Sequence, residues 1–598
     1  MSIRNQAVVL TAAALLATSI GACGDDPVEP PPTPQPPGAP TGVSMLVSGR
    51  SITISWGAGA DATSYRVTLA SPGEVTRTEN TTETAVTFDD LTAGATYTGQ
   101  VFSINSEGEA ASAAATASIP EDPPAFQAVV DDILEDAHWS ADKVWILTRP
   151  IFVGRDCGAD GDKDGCVHAT LTIDPGTTVV GRTDLSQGVR GAYLVVSRGS
   201  KLIADATGEN RRPTADEVIV FTSDKPRGDR DRGDWGGLVI NGMARTNAGD
   251  EAEGEGDSGF FGGNDDEDDS GILRGVRIEY AGDDVTPSDQ LNGLALQGVG
   301  SGTTISYVQI HYNVDDGIEP FGGAVSVDHL VVTGIGDDSV DGTDGYRGFM
   351  QFIIGQQRGD KADNGMELSN SGSENPNASP LSTAVIANAT MIGADEDFQT
   401  GEIGGPNGDR GVQFREASRY RVYNSIFRDF GDAGFCVEGG PAVLAANSRV
   451  SGVADPSQTI SLEGSVVWNN AGAADSDENF EGCDGYTTAQ NKAFFTTDGF
   501  NNLVADPMLR DGYNDIGTMA SPPDIVASAA PSGYAAFDLS TVEFDGINLF
   551  APADGRTLVA TDYPGAVAPG TTLADAWYYG WTIWSIDGSD SRANHTGN

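Results

Sequence analysis

Paired aspartates recur along the middle of the chain and are the first residues that could do chemistry. Short β-rich segments lead to the pairs 283/284, 315/316 and 337/338, so the second aspartates are 32 and 22 residues apart. Two carboxyl groups can divide the acid and base roles of glycoside hydrolysis, or hold Ca²⁺ against a uronate while a base removes a proton. We therefore take as candidate catalytic residues Asp315, Asp316, His311 and Arg347.

The same pairs also suit a purely architectural role. Asp-Asp-Gly at 315–317 favours a tight turn, because Asp tolerates left-handed backbone and hydrogen-bonds its own main chain. A pair that recurs in every coil of a repeat is more typical of turns or calcium sites than of a catalytic centre. Both interpretations remain open at this point.

Two other acidic segments have the oxygen ligands that calcium prefers. Asp160, Asp162 and Asp164 alternate before Gly165 as in the first half of an EF-hand loop, but Leu171 stands where that loop needs a bidentate Glu. Farther along, Asp265, Asp266 and Asp268 lie in an acidic run. We expect structural Ca²⁺ at these segments, with a solvated hairpin and a solvated loop as the respective alternatives.

Aromatic residues could offer flat faces to sugar rings. Trp235 in an Asp-Trp-Gly-Gly turn and Tyr312 are the candidates for stacking, and packing inside the fold is the alternative. The five histidines lack zinc-binding spacing, and the sequence has neither a phosphate-binding loop nor a nucleophile elbow.

Charge excludes one class of partner. The 598 residues contain 34 Lys and Arg against 87 Asp and Glu, which gives a net charge of −53. Such a chain repels nucleic acid and anionic lipid, so we predict no nucleic-acid partner. A solvated acidic surface and divalent-cation binding both explain the excess of acid.

The N-terminus predicts export and lipidation. Arg4 and the apolar run 7–20 are typical of a signal peptide, which we place at residues 1–22. Ile20-Gly-Ala-Cys23 resembles a bacterial lipobox with Cys23 as the lipidated residue, and an ordinary secretory cleavage site is the alternative. We expect an outer-membrane lipoprotein, exposed at the surface and touching the membrane only through its anchor.

The remaining cysteines form an even set. In an exported chain four cysteines predict two disulfides, and nearness in sequence favours Cys157–Cys166 with Cys436–Cys483 over the other pairings. No thiol is then left for nucleophilic catalysis.

These residues are positioned by two kinds of β structure. After a proline-rich stalk at 23–39, residues 40–120 alternate polar and apolar positions and resemble a fibronectin type III module, with Trp56 in its core and Leu91 to Tyr97 as its tyrosine corner. Beyond a short linker, residues 125–598 show short strands separated by Gly, Pro and polar turns. The 22-residue interval is typical of one coil of a parallel β-helix.

A resemblance supports the second prediction. The segments that carry it are Asp234-Trp-Gly-Gly-Leu-Val-Ile-Asn-Gly242, Leu273-Arg-Gly-Val-Arg-Ile-Glu-Tyr-Ala-Gly282 and Tyr563-Pro-Gly-Ala-Val-Ala-Pro569. They are similar to large secreted or lipid-anchored bacterial proteins with a pectate-lyase-like, right-handed parallel β-helix and no assigned activity. The resemblance implies an all-β fold with loop insertions and a C-terminal cap, while motifs of β-helix polygalacturonases are absent.

We expect a cell-surface protein whose β-helix binds an extended extracellular partner, a polysaccharide or another surface polymer, or that serves a structural or adhesive role. The rival hypothesis is a polysaccharide lyase or glycoside hydrolase that acts through acidic groove residues and calcium. The sequence leaves the oligomeric state open.

Overall fold

A computed structural model describes residues 34–120, 125–183, 191–282, 284–286, 289–359, 361–371, 375, 378–394, 410–440, 446, 459–470, 477–480, 482–483, 485–510, 522–542 and 557–585. The chain forms two compact units, Met1–Asp122 and Pro123–Asn598. The expected lipidation site Cys23, the signal peptide and residue Asp283 lie outside the described residues. In the described part of the chain, no helix is both long and apolar enough to cross a membrane.

The first unit is a β-sandwich, as expected. One antiparallel sheet contains Thr41–Ser48, Ser51–Gly57 and Ala85–Phe88, and the other contains Ser64–Ala70, Arg77–Thr81, Thr96–Asn105, Gly108–Ala111 and Ala115–Ser118. Alternate side chains are buried because successive residues of a strand point to opposite faces, which places Trp56 and Tyr65 in the core. The Tyr97 hydroxyl accepts a hydrogen bond from the Thr92 N–H at 3.0 Å and so forms the predicted tyrosine corner.

The second unit is a parallel β-helix, which confirms the predicted fold class. Within the described residues its larger sheet has seventeen strands. These are Ala125–Val129, Ala137–Trp139, Lys143–Leu147, Thr170–Ile173, Thr178–Gly181, Lys201–Asp205, Ile219–Ser223, Gly271–Glu279, Thr304–His311, Ser326–Thr333, Phe349–Gln356, Val385–Ile392, Arg421–Tyr423, Ile426–Arg428, Ser461–Glu463, Val466–Trp468 and Leu503–Val504.

The smaller sheet of the β-helix has nine described strands. These are Ile151–Val153, Tyr193–Val196, Gly237–Asn241, Leu294–Gln297, Ile318–Phe321, Val340–Gly342, Met366–Leu368, Gln413–Phe414 and Cys436–Val437. Two hairpins leave the coils, Ala252–Glu253 with Phe260–Phe261 and Asp284–Thr286 with Asp289–Gln290. The described helices are short: the α-helix Thr488–Phe495 and the 3₁₀ turns Glu255–Asp257, Asp477–Phe480, Leu539–Thr541 and Leu573–Asp575.

Apolar columns hold the coils in register. In the larger sheet Val276 pairs with Val308, which pairs with Leu330, and in the smaller sheet Leu294 pairs with Ile318, which pairs with Val340. All of these side chains are buried in one continuous core, because each coil covers the apolar edge of the previous one. The interval of 22 residues between Val308 and Leu330 is one coil of the stack, as predicted from Asp316 and Asp338, and coils with insertions are longer, such as the 32 residues from Val276 to Val308.

The C-terminal segment 557–585, here named the strap, lies along the outer face of the larger sheet. The Ala566 N–H donates to Thr390 Oγ1 at 2.9 Å, and the Ile583 N–H donates to Gln309 Oε1 at 2.8 Å. The guanidinium of Arg277 donates to the Trp581 carbonyl at 2.7 Å. Outward polar side chains of this sheet are thus used to bind the strap.

Two disulfides fasten loops to the β-helix, with the predicted pairing. Cys157–Cys166 closes a turn near the N-terminal coils, and Cys436–Cys483 ties the last described strand of the smaller sheet to a loop.

Candidate functional site

Three acidic side chains stand side by side on the outer face of the smaller sheet and are here named the acidic row: Glu319, Asp341 and Glu367. Ile318 pairs with Val340, and Asp341 pairs with Glu367, so the three residues occupy the same position on successive strands. Their apolar neighbours in the strands point into the core, and the row must then point outward because side chains alternate. Neighbouring members are one strand apart, about 4.8 Å.

The turns that precede these strands carry a second set of aspartates. The Asp338 N–H donates to Asp316 Oδ1 at 2.9 Å, and the Asn364 N–H donates to Asp338 Oδ1 in the same way. A carboxylate that accepts the main-chain N–H of the next coil explains why Asp is found at positions 316 and 338. Each turn therefore places an acidic or amide group beside the row.

Carboxylate oxygens converge where the turns meet the row. Three groups have oxygens that all lie within 4.8 Å of one another: Asp315 with Asp316 and Asp337, Asp316 with Glu319 and Asp341, and Asp337 with Asp338 and Asp363. Asp316 and Asp337 each belong to two groups, so the groups are contiguous. Calcium is held by six to eight such oxygens, which makes this donor set chemically suitable for a hard divalent cation.

An unsatisfied oxygen lies inside the second group. Asp341 Oδ1 is buried and has no hydrogen-bond partner among the described residues. The carboxylate oxygens of Asp341 and Glu319 lie within 4.8 Å of each other, so two negative charges would meet here unless a proton or a cation is present. A buried acceptor without a donor is disfavoured, so a cation or a proton is needed at this point.

The electrostatics of the site lead to the same conclusion. Burial, followed by the repulsion of neighbouring carboxylates, raises the pKa of Asp316, Glu319 and Asp338 well above the ordinary values. Burial also raises the pKa of Glu367, although Arg415 opposes that shift. Arg415 contacts Glu367 and binds Glu438 through Nε at 2.6 Å. This single guanidinium contacts two carboxylates, and its charge also opposes the raised pKa of Asp341, which burial and Glu367 nevertheless hold well above the ordinary value.

The structure places the candidate catalytic residues in different parts of the β-helix. Asp315 and Asp316 lie at the site, but His311 lies under the strap, with Nδ1 2.7 Å from Thr333 Oγ1 and Nε2 3.2 Å from the Ser585 carbonyl. Arg347 directs Nη1 and Nη2 to the two oxygens of Asp266, at 2.9 and 2.7 Å. These partners place His311 on the outer face of the larger sheet and Arg347 beside the loop that carries Asp266.

The first aspartate pair is not a coil equivalent of the other two. Asp284 begins a hairpin that projects from the coil, and the residue in register with Asp316 is Asn292, since Leu294 pairs with Ile318. Asn292 Nδ2 donates to Glu319 Oε2 at 2.7 Å and to Glu255 Oε2 at 3.0 Å. The recurrence thus continues with an amide at this coil.

The other acidic segments do not converge in the way expected of calcium sites. Asp160, Asp162 and Asp164 are exposed, and among the described residues they form no convergent group. Lys163 instead binds Asp156 at 2.6 Å across the turn. This geometry corresponds to the alternative of a solvated hairpin.

In the acidic run 264–269 each carboxylate has a different environment. Although burial raises the pKa of Asp266, hydrogen bonds from Arg347 and Arg245 hold it far below the ordinary value. Asp268 is buried and accepts from Ser270 Oγ at 3.0 Å, and burial raises its pKa to about 6. Asp265 is exposed. Guanidinium groups, rather than a shared ion, compensate Asp266.

The two candidate stacking residues are inside the protein. Trp235 is fully buried, lies parallel to the ring of Phe221 at 6.4 Å and donates from Nε1 to the Glu279 carbonyl at 2.8 Å. Tyr312 is 6% exposed, and the Arg232 guanidinium lies 4.2 Å from its ring centre. Neither ring presents a face to a sugar.

Glu319, Asp341, Glu367 and Arg415 are the functional candidates that sequence reasoning missed. A signal was present, because Asp-Gly-Ile-Glu319, Asp-Ser-Val-Asp341 and Asn-Gly-Met-Glu367 each place an acid three residues after the turn Asp or Asn. This second column is less conspicuous in the sequence than the adjacent aspartates, because its acids are Glu or Asp separated by three residues from the turn.

Comparison with known proteins identifies both units. The family model described as the pectate-lyase like beta helix domain matches residues 164–501, which is more than half of the chain. The fibronectin type III domain model matches residues 38–118. No curated protein is significantly similar to the chain.

Solved structures match a small part of the chain. A structure entitled "Myokine structure" is 22% identical, with 14% of this chain and 99% of that chain covered and a TM-score of 0.14. The FN5 domain of Drosophila Lar is 20% identical with the same coverages and TM-score. The assignment of the two units rests on the family models.

Proposed function

The chain belongs to the pectate-lyase-like beta helix domain family, and from this premise we propose that it binds an acidic polysaccharide through divalent cations held at the acidic row. The observation that carries the proposal is the convergence of carboxylate oxygens from Asp316, Glu319 and Asp341 within 4.8 Å on one outer face. Carboxylate oxygens are the ligands that calcium prefers.

A bridging cation answers the main physical objection to this partner. A chain with a net charge of −53 repels a polyanion, and the buried acids of the row repel one another. A divalent cation neutralises the row and retains coordination positions for the carboxylate of a uronate residue. The polymer is then bound because the cation is shared.

The location of the protein is part of the same proposal. A signal peptide, a lipidated Cys23 and a proline-rich stalk would hold the sandwich and the β-helix at the outer surface of a bacterial cell. Such display suits capture of an extracellular polymer.

A polysaccharide lyase or glycoside hydrolase is the second candidate, and the close carboxyl pair Glu319 and Asp341 is the observation in its favour. Glycoside hydrolases hold their two carboxyl groups about 5 Å apart or more, so a pair whose oxygens lie within 4.8 Å fits a shared proton or cation better. A lyase needs a base, and Arg415 is bound to two carboxylates. Binding is therefore preferred over cleavage.

The test measures retention of the purified chain on polygalacturonate, alginate and neutral dextran, with Ca²⁺ or with a chelator. We expect retention on the two acidic polymers that needs Ca²⁺, and loss of that retention in Asp341→Asn. The matched control Asp160→Asn removes the same charge from an exposed turn and retains binding. Calcium-independent retention, or equal behaviour of both variants, refutes the proposal, and unsaturated products or new reducing ends establish the enzyme instead.

A further inference from the structure

A cavity of about 210 Å³ lies at the N-terminal end of the smaller sheet, away from the acidic row. Phe152 and Asn241 from the sheet, Arg155 and Ser197 from the adjoining turns, and Phe260 from the projecting hairpin line it. This volume is below the roughly 300–1,000 Å³ of pockets that take drug-sized ligands. The cavity is thus suited to a single small ring.

One residue that lines the cavity has a buried acceptor that no described group satisfies. Asn241 is 1% exposed and donates from Nδ2 to the Ser258 carbonyl at 2.8 Å, while its Oδ1 is buried without a hydrogen-bond partner in the described part of the chain. A buried acceptor that lacks a donor is disfavoured, and a ligand hydroxyl would supply the missing donor.

The remaining walls complete a recognition surface for a sugar. Phe152 and Phe260 are half-buried and offer apolar rings against which the C–H face of a pyranose can pack. Arg155 is exposed, and its guanidinium makes no ion pair with any described residue. By contrast, both carboxylates of the lining are already compensated: Arg149 pairs with Asp132 at 2.9 Å, and hydrogen bonds from Arg198 and Lys163 outweigh burial and lower the pKa of Asp156 to about 2.

We propose that this cavity binds one uronic-acid residue, with its ring against Phe152 and Phe260, a hydroxyl donating to Asn241 Oδ1 and the carboxylate at Arg155. The choice of a uronic acid over a neutral sugar rests on the proposed function, whereas the sugar site itself rests on the cavity. No cation takes part in this recognition.

The cavity and the acidic row face the same side of the β-helix. Phe152, Val195, Val239, Ala295 and Glu319 occupy one position on five successive strands, so Phe152 is about 19 Å from Glu319 at about 4.8 Å per strand. The hairpin loop between them borders both: Phe260 lines the cavity, and Glu255 accepts from the same Asn292 that binds Glu319. One extended polymer can therefore reach both sites.

The test uses monomeric galacturonic acid and galactose, titrated into the full chain by calorimetry in the presence of a chelator. We expect binding of galacturonic acid, weakened at least tenfold in Arg155→Ala and in Phe260→Ala. Phe126→Ala, which removes an exposed ring from the first coil of the β-helix, is the control and binds as the unmodified chain does. Absence of binding by the unmodified chain, or unchanged binding by both cavity variants, overturns the inference.

Two further measurements separate this inference from the proposed function. Asp341→Asn is expected to lose calcium-dependent retention on polygalacturonate while it binds galacturonic acid normally. Equal affinity for galactose and galacturonic acid overturns the assigned role of Arg155. Loss of monomer binding in Asp341→Asn overturns the independence of the cavity from the row.

Discussion

The main-chain N–H of Asp338 donates to Oδ1 of Asp316, one coil earlier, across 2.9 Å. Asn364 donates its main-chain N–H to Asp338 in the same way, so in both turns the acceptor is a carboxylate. An amide oxygen can accept the same bond, which makes Asn the substitution that tests the charge at these positions.

The first prediction concerns Asp316→Asn and Asp338→Asn. Each substitution keeps an acceptor for the next coil and removes a buried charge whose pKa burial and neighbouring acids have raised. Because burial of these charges disfavours the folded state, we expect each variant to be more stable than the unmodified chain in chelator at neutral pH. Urea unfolding measures this, and a loss of stability in both variants would contradict it.

The second prediction concerns pH in the absence of calcium. A carboxyl group with a raised folded-state pKa binds a proton in the folded state at pH values where the unfolded chain has lost it, so stability falls as pH rises. For Asp316 and Glu319 the fall begins above their ordinary values of 3.8 and 4.5. Asp156 and Glu217 have pKa values lowered to about 2, so their stabilising contribution is lost only as the pH falls below their ordinary values of 3.8 and 4.5.

Thermal midpoints measured in chelator should therefore decline as the pH is raised from about 5 to about 8. Asp341→Asn should show a shallower decline, which separates the row from the general repulsion of the acidic surface. A flat or rising profile for the unmodified chain would show that the acids of the row do not have raised pKa values in the folded state.

The third prediction concerns calcium as a stabilising ligand. A cation that binds the folded state alone stabilises it by about 2.7 kcal/mol at one hundred times its dissociation constant. We expect Ca²⁺ to raise the thermal midpoint of the unmodified chain and of Asp160→Asn, and to have much less effect on Asp341→Asn. The three midpoints with and without Ca²⁺ check this, and an equal rise in all three would place the ion elsewhere.

The fourth prediction is that Arg347 stabilises the fold and takes no part in catalysis or binding. Its nearly buried guanidinium neutralises Asp266, so Arg347→Ala leaves a half-buried carboxylate with only the more exposed Arg245. Breaking a buried pair costs about 3–5 kcal/mol, and we expect a loss near the lower end. Arg245→Ala should cost less, and both variants should keep calcium-dependent retention at a temperature where they are folded. Selective loss of retention in a folded Arg347→Ala would assign Arg347 to the site.

The fold could be predicted from the sequence because similar strand-and-turn segments recur one coil apart. Asp316 and Asp338 are one coil apart, and the apolar columns repeat with them. The interval from Asp284 to Asp316 also contains one coil, but a projecting hairpin is inserted after Asp284. The residue in register with Asp316 is therefore Asn292 and not Asp284. Sequence spacing cannot tell which residue re-enters the register after an insertion.

The candidate site was predicted in part. Asp315 and Asp316 were found because adjacent acids are conspicuous, while Glu319 and Asp341 became visible only when the strands were set side by side. His311 and Arg347 are near the pair in sequence but belong to other faces of the coil, where the strap and Asp266 bind them. In a solenoid, equivalent positions of neighbouring coils are closer in space than many neighbours along the chain.

Each coil that carries two turn aspartates and one strand acid also contributes one set of cation ligands. Because the strands of the smaller sheet stack one on the next while the strap is bound by the larger sheet, duplication of residues 317–338 would insert one more set of acids in register and lengthen the row by a single strand spacing of about 4.8 Å. Deletion of one coil would shorten it by the same step. The number of cations, and with it the avidity for a polymer, would then change by gain or loss of whole repeats, without any redesign of an individual binding position.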